Sequence, residues 1–207
     1  MRGAPADKLV AQLLSFDLRS APYGHVDEFL AMAGVVALGE RGLVDLRARE
    51  RVLRELSSFA LDERMRVRTE VAAALARIVG AIVTAGDDPL PILESWLDDD
   101  EAWLGAAVIE ALRGADLAPV MSEAQLGRVL EVAFARLGRE HRAGRRKDAW
   151  QRFSKSLGDV PVALLTRHPK LAQVLVAEVD LDRDVEVRAA IDVVVTGLRK
   201  SGGRAAA

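Results

Sequence analysis

Residues 62 to 75 read Asp62-Glu63-Arg64-Met65-Arg66-Val67-Arg68-Thr69-Glu70-Val71-Ala72-Ala73-Ala74-Leu75. Val67, Val71, Leu75 and the following Ile78 fall four, four and three residues apart, the spacing of one face of an α-helix. Charged residues fill much of the space between them, as an amphipathic helix requires. Asp62 stands just ahead of the first turn, where a carboxylate accepts backbone N–H bonds and favours the positive end of the helix dipole. The stretch predicts a helix over 64–84, stopped by Gly86-Asp87-Asp88-Pro89.

The same pattern recurs along the chain. A shift of 120 residues carries Asp62, Met65, Val67, Arg68, Val71 and Leu75 onto Asp182, Val185, Val187, Arg188, Ile191 and Val195. A shift of 37 carries Asp62, Val67, Val71, Ala74 and Leu75 onto Asp99, Leu104, Val108, Ala111 and Leu112, with Gly105 in place of Arg68. A shift of 82 keeps the apolar positions as Ala149, Phe153 and Leu157 but puts Gly144 and Trp150 where Asp and Arg stood. Leu30 and Leu38, with Gly34 between them, form a reduced first copy. The steps are about 37, 37, 45 and 38 residues, and a period near 40 made of helix pairs belongs to helical solenoids.

Asp62…Val67-Arg68…Ala72-Ala73…Leu75 and Asp182…Val187-Arg188-Ala189-Ala190 resemble the second helix of HEAT repeats, the armadillo-like α-solenoid family. The resemblance implies an all-α chain of about five helix pairs over residues 1–200. It assigns structural roles to Asp62 and Asp182, which bracket the turn, and to Arg68 and Arg188, which form a ladder between repeats. It also implies that the second helices line a concave face. The competing architecture is an ordinary helical bundle whose Asp and Arg residues are unrelated solvated charges.

Composition agrees with close-packed helices. Half of the 207 residues are apolar but only 4% are aromatic, the mass being Ala (34), Leu (28) and Val (24). That apolar content and a net charge of −2 exclude a disordered chain. The absence of cysteine excludes disulfides, a thiol catalyst and a thiolate metal site, and fits a cytoplasmic protein. The most apolar segment, Val71–Ala85, contains Arg77 and Gly80 and is shorter than the ~18 residues of a membrane span. Leu9–Phe16 is too short and polar for a secretory core. Breakers at 39–42, 114–119, 138–144 and 158–161 divide the chain into helices predicted at 6–18, 25–39, 46–59, 64–84, 89–97, 101–113, 122–138, 146–157, 161–178 and 184–200. Residues 201–207 read as a disordered C-terminal tail.

Catalytic motifs are missing: there is no Walker loop, no Gly-x-Ser-x-Gly and no His-Glu-x-x-His. His25, His141 and His168 are far apart, and Asp98-Asp99-Asp100-Glu101 lacks the spacing of a calcium loop, so it reads as a helix-start cluster. No catalytic residue, metal ligand or cofactor is expected. Charge segregation says more. Residues 87–101 are acidic without a single Lys or Arg, whereas 136–155 hold Arg136, Arg139, Arg142, Arg145, Arg146, Lys147, Arg152 and Lys155 against two acids. The basic stretch coincides with the long step in the repeat, and insertions in solenoids collect on one edge. Trp103 and Trp150 align with polar or small positions of sister repeats, which marks them as interaction candidates. Plain packing is the favoured reading for each, since a one-residue slip moves Trp103 onto the core position of Val67, and Trp96 belongs to the core.

These observations predict a non-catalytic scaffold that binds a protein or peptide through its concave face and a basic edge loop. The candidate binding residues are Trp103, Arg142, Arg145, Arg146, Lys147, Trp150, Arg152 and Lys155. The alternative is a nucleic-acid-binding solenoid that resembles the HEAT-like alkylpurine DNA glycosylases and takes the backbone through the cluster at 136–155. The near-neutral net charge argues against it, and the glycosylase arrangement of Trp and Asp matches no positions here.

Overall fold

The structure is a computed structural model that describes residues 4–140, 147–171 and 185–205. They form helices α1 (Ala4–Leu14), α2 (Glu28–Val44), α3 (Arg49–Phe59), α4 (Met65–Thr84), α5 (Leu90–Asp98), α6 (Ala102–Ala111), α7 (Glu123–Glu140), α8 (Lys147–Arg167) and α9 (Val185–Ala205), with a 3-10 turn at Pro169–Leu171. No strand occurs among the described residues, so the all-α class holds. None of the described helices is long and apolar enough to cross a membrane.

The packing follows a simple order. Helix α2 lies on α4, α4 on α6, α6 on α8 and α8 on α9, a chain of contacts through five of the described helices. Helix α3 packs on α2 and α4, α5 on α6 and α7, and α7 on α8 and α9. Apolar stripes fill the space between them, and in α6 every residue but Glu110 is buried. Val67, Val71, Leu75 and Ile78 of α4 and Leu104, Val108 and Leu112 at α6 are all buried, as their spacing predicts. On α9 the register slips: Val195, aligned with Leu75, is 36% exposed, and its neighbour Val194, at 0%, takes the core position.

Helix starts use the predicted acids, but through the turn before the helix. The Arg64 N–H donates to Asp62 Oδ1 at 2.8 Å, and the Glu101 N–H to Asp99 Oδ1 at 2.9 Å. These two aspartates are related by the 37-residue step, and each closes the same local turn (an Asx turn) ahead of its helix. At the far end of α4, Gly86 takes a φ of +89°. The Asp87 N–H then returns to the Ile82 carbonyl at 3.1 Å, which satisfies the last turn of the helix.

Two sets of predicted breakers lie inside helices. Gly39 and Gly42 are interior to α2, because α2 and α4 approach too closely for a side chain. A Cβ at 39 would stand 2.7 Å from Ala74 Cβ, and one at 42 would stand 2.8 Å from Ile78 Cδ1. Gly158 and Pro161 were expected to separate two helices and instead lie within α8. Pro161 removes an N–H that would bond the Leu157 carbonyl, at a cost of ~3 kcal/mol. Burial of Val160, Leu164 and Leu165 on either side keeps the helix whole. Gly158 is a contact point: its Cβ would meet Val193 Cγ1 of α9 at 2.8 Å. Helix α9 also continues through residues 201–205, read from composition as a tail.

Two of the described arginines are almost fully buried. Arg64, 2% exposed, donates to both carboxylate oxygens of Asp62 (2.9 and 2.6 Å) and to the carbonyls of Phe16 and Ala21 (3.0 and 2.9 Å). The Asp62 hydrogen bond raises the Arg64 pKa above its ordinary value. That geometry ties the segment after α1 to the start of α4. Arg136 of α7, also 2% exposed, donates from Nη1 to the carbonyls of Trp96 and Leu97, at the negative C-terminal end of α5.

Candidate functional site: a groove between α4, α6 and α8

Among the described residues, helices α4, α6 and α8 line a groove. Its floor is alanine: Ala72, Ala73 and Ala76 of α4 and Ala106, Ala107 and Ala111 of α6. Helices α4 and α6 each bring small side chains to the junction, so the floor is deep, apolar and has no rotamer to freeze. The cavity is about 390 Å³ and is open on one side. Met65, half exposed, stands at its lip.

Its walls carry charge and one large ring. The Arg68 guanidinium lies 3.9 Å from the centroid of the Trp103 ring, a cation–π contact between α4 and α6. Arg68 Nη1 also donates to the carbonyl of Asp62, which fixes the arginine against the turn that starts its own helix. At the other wall Glu110 gathers three donors. Ser156 Oγ donates to Glu110 Oε1 at 2.6 Å, Arg152 Nη2 lies 3.0 Å from the same oxygen, and Arg113 Nε lies 3.3 Å from Oε2. Arg113, Gly114 and Asp116 close the end of the groove. They can do so because α4 offers Gly80 there: a Cβ at 80 would stand 2.3 Å from the Asp116 carbonyl oxygen.

Among the sequence-predicted residues, Trp103, Arg152 and Arg68 line this groove, but Trp103 is 9% exposed and also packs into the core. Lys155 is exposed on α8 one turn beyond Arg152. Arg142, Arg145, Arg146 and Asp182 lie outside the described residues, as do the side chains of Lys147 and Trp150. Arg188 is on α9, away from the groove lining. The basic stretch 136–155 is less of a surface than its sequence implies, since Arg136 is in the core and Arg152 is paired with Glu110. Trp96 is buried, as expected.

Glu110, Arg113, Asp116 and the alanine floor were missed. The runs Ala72-Ala73-Ala74 and Ala106-Ala107 are the one sequence signal that points to them, because small residues on the face of consecutive helices leave space. The chemistry available is recognition: an apolar floor for contact and guanidinium groups for anions. His25 and His168 are elsewhere, beside Asp27 (3.3 Å) and Glu123 (3.6 Å). No group of three potential metal ligands gathers among the described residues. The chain matches no family model, no curated protein and no solved structure.

Proposed function

We propose that this chain is a non-catalytic scaffold of HEAT-like helix pairs that docks a protein or peptide partner in the groove between α4 and α6. The observation that carries the reading is the groove itself, alanine at the floor and Arg68, Trp103, Glu110, Arg113 and Arg152 around it. Large aromatics and arginines beside an apolar floor are the residue types that dominate binding energy at protein interfaces. The chain of contacts through α2, α4, α6, α8 and α9 supports the solenoid architecture, as does the turn repeated at Asp62 and Asp99. A scaffold of this kind acts through surface and needs no catalytic group. A cysteine-free chain suits a cytoplasmic setting for it.

The test is quantitative affinity capture with the wild-type protein and an Ala73→Trp variant, read by mass spectrometry. Ala73 is exposed at the groove floor, so the indole fills the cavity without entering the core. A partner retained by the wild type and lost by the variant supports the proposal, and equal capture by both rejects it. Binding to short duplex DNA, measured in parallel against salt, is expected to be absent. A steep salt-dependent affinity would replace the scaffold reading with nucleic-acid binding.

A further inference from the structure

We infer that the groove recognises an acidic peptide segment, with a bulky apolar residue seated on the alanine floor and a neighbouring Asp or Glu held by Arg152. The inference rests on the scaffold reading and narrows it to one partner chemistry. Size sets the first limit. A cavity of about 390 Å³ lies at the small end of the ~300–1,000 Å³ range of ligand sites, which suits one anchoring side chain. The floor sets the second. Methyl groups at 72, 73, 106 and 107 present no polar atom that an apolar anchor would leave unsatisfied.

Charge decides the neighbour of the anchor. The lining holds three guanidinium groups, Arg68, Arg113 and Arg152, against two carboxylates, Glu110 and Asp116. Glu110 lies between Arg113 and Arg152 and contacts both. Arg152 touches Glu110 through Nη2 and is 34% exposed at the groove edge. A guanidinium carries five N–H donors in a planar fork that suits a second carboxylate. Glu110, itself held by the Ser156 hydroxyl, holds that fork in place before a ligand arrives, which lowers the cost of ordering it. A basic segment would meet like charge at the same edge, so the rim also selects against it.

The probe is a random-peptide phage library panned on the wild-type protein, followed by fluorescence anisotropy with the selected peptides. The expected peptides carry an apolar residue next to Asp or Glu. They bind the wild type, lose binding to Ala73→Trp, and weaken about tenfold on Arg152→Gln. Replacing the peptide's acid by its amide weakens binding to the wild type by a similar factor and does nothing further on Arg152→Gln. Circular dichroism melts check that both variants fold, and Thr69→Trp, which fills the groove from α4, stands in if Ala73→Trp does not. Peptides that depend on the groove yet carry no acid, or bind Arg152→Gln unchanged, overturn the inference and leave the scaffold reading standing. Failure to select any peptide that requires an open groove overturns both.

Discussion

The junction between α4 and α6 and the one between α6 and α8 start from the same repeated pattern and end differently. Arg68 on α4 and Gly105 on α6 occupy corresponding positions, 37 residues apart. At the first junction Arg68 reaches out of its helix, lies over Trp103 and forms one wall of an open groove. At the second, no side chain leaves position 105, and neighbours move in. A Cβ there would stand 3.1 Å from Phe153 Cε2 and 3.2 Å from Arg136 Nη1. Arg136 and Phe153 are both buried, the guanidinium 5.5 Å from the ring centroid. Both junctions thus combine an arginine with an aromatic ring, the half-buried Arg68 on the largely buried Trp103 at the groove wall and the buried Arg136 beside Phe153 in the core. A repeat fixes where helices lie, and a single position within it decides whether the gap between them is a binding surface or packing.

The strongest way to break the comparison is to transplant one position. Gly105→Arg gives α6 the residue that α4 carries, and the filled junction has no room for it. Overpacking plus a misplaced charge should cost about 3 kcal/mol or more, read as a lower urea midpoint with an unchanged slope. A variant of wild-type stability would show that the second junction opens as readily as the first.

Arg136→Met tests the other half. The thioether replaces the arginine stem against Phe153 but gives nothing to the carbonyls at the end of α5. Loss of charged hydrogen bonds in a buried setting predicts a cost of about 2 kcal/mol by denaturant unfolding. A neutral result would mean that Arg136 serves only as apolar volume, as buried ion pairs sometimes do when replaced by hydrophobic residues.

The two junctions also separate what the sequence discloses from what it hides. Helical stripes such as Val67, Val71 and Leu75 are legible because burial imposes its period on the chain directly. The paired aspartates at 62 and 99 are legible because a turn is local, and each does close the same hydrogen bond. Close approach is not local. Gly39, Gly42 and Gly158 look like breakers in isolation, and only the neighbouring helix reveals that they sit mid-helix to let Ala74, Ile78 and Val193 near. Arg136 looks like surface charge for the same reason, since its partners are carbonyls 39 and 40 residues away. The candidate site divides along this line. Trp103 stands out as a large ring where sister repeats are polar and Arg152 as a member of a basic stretch, whereas Glu110 acquires its role only where Arg113, Arg152 and Ser156 converge.

At the open junction the effects shrink. Arg68→Ala removes one cation–π contact and one bond to the Asp62 carbonyl, and Arg68 itself is only half-buried. The expected loss is about 1 kcal/mol, with a red shift of tryptophan emission as the Trp103 ring gains water. A loss equal to that of Arg136→Met would place Arg68 in the core and remove the contrast between the junctions.

The smallest effect belongs to Arg152 and Glu110, and it discriminates best. Their nitrogen and oxygen are 3.0 Å apart, but the side chains remain 34% and 18% exposed. Water screens such a pair, and holding the long arginine in place costs side-chain entropy. A double-mutant cycle with Arg152→Ala and Glu110→Ala should give a coupling energy below about 1 kcal/mol, and added salt should reduce it further. A coupling of about 2 kcal/mol that resists salt would mark the pair as desolvated structure, as Arg64 is with Asp62. Arg152 would then belong to the fold, because a guanidinium committed that strongly to Glu110 has less to gain from a carboxylate that arrives from outside. Weak coupling leaves it poised: held well enough to point at the groove, with donors to spare for a ligand carboxylate beside Glu110.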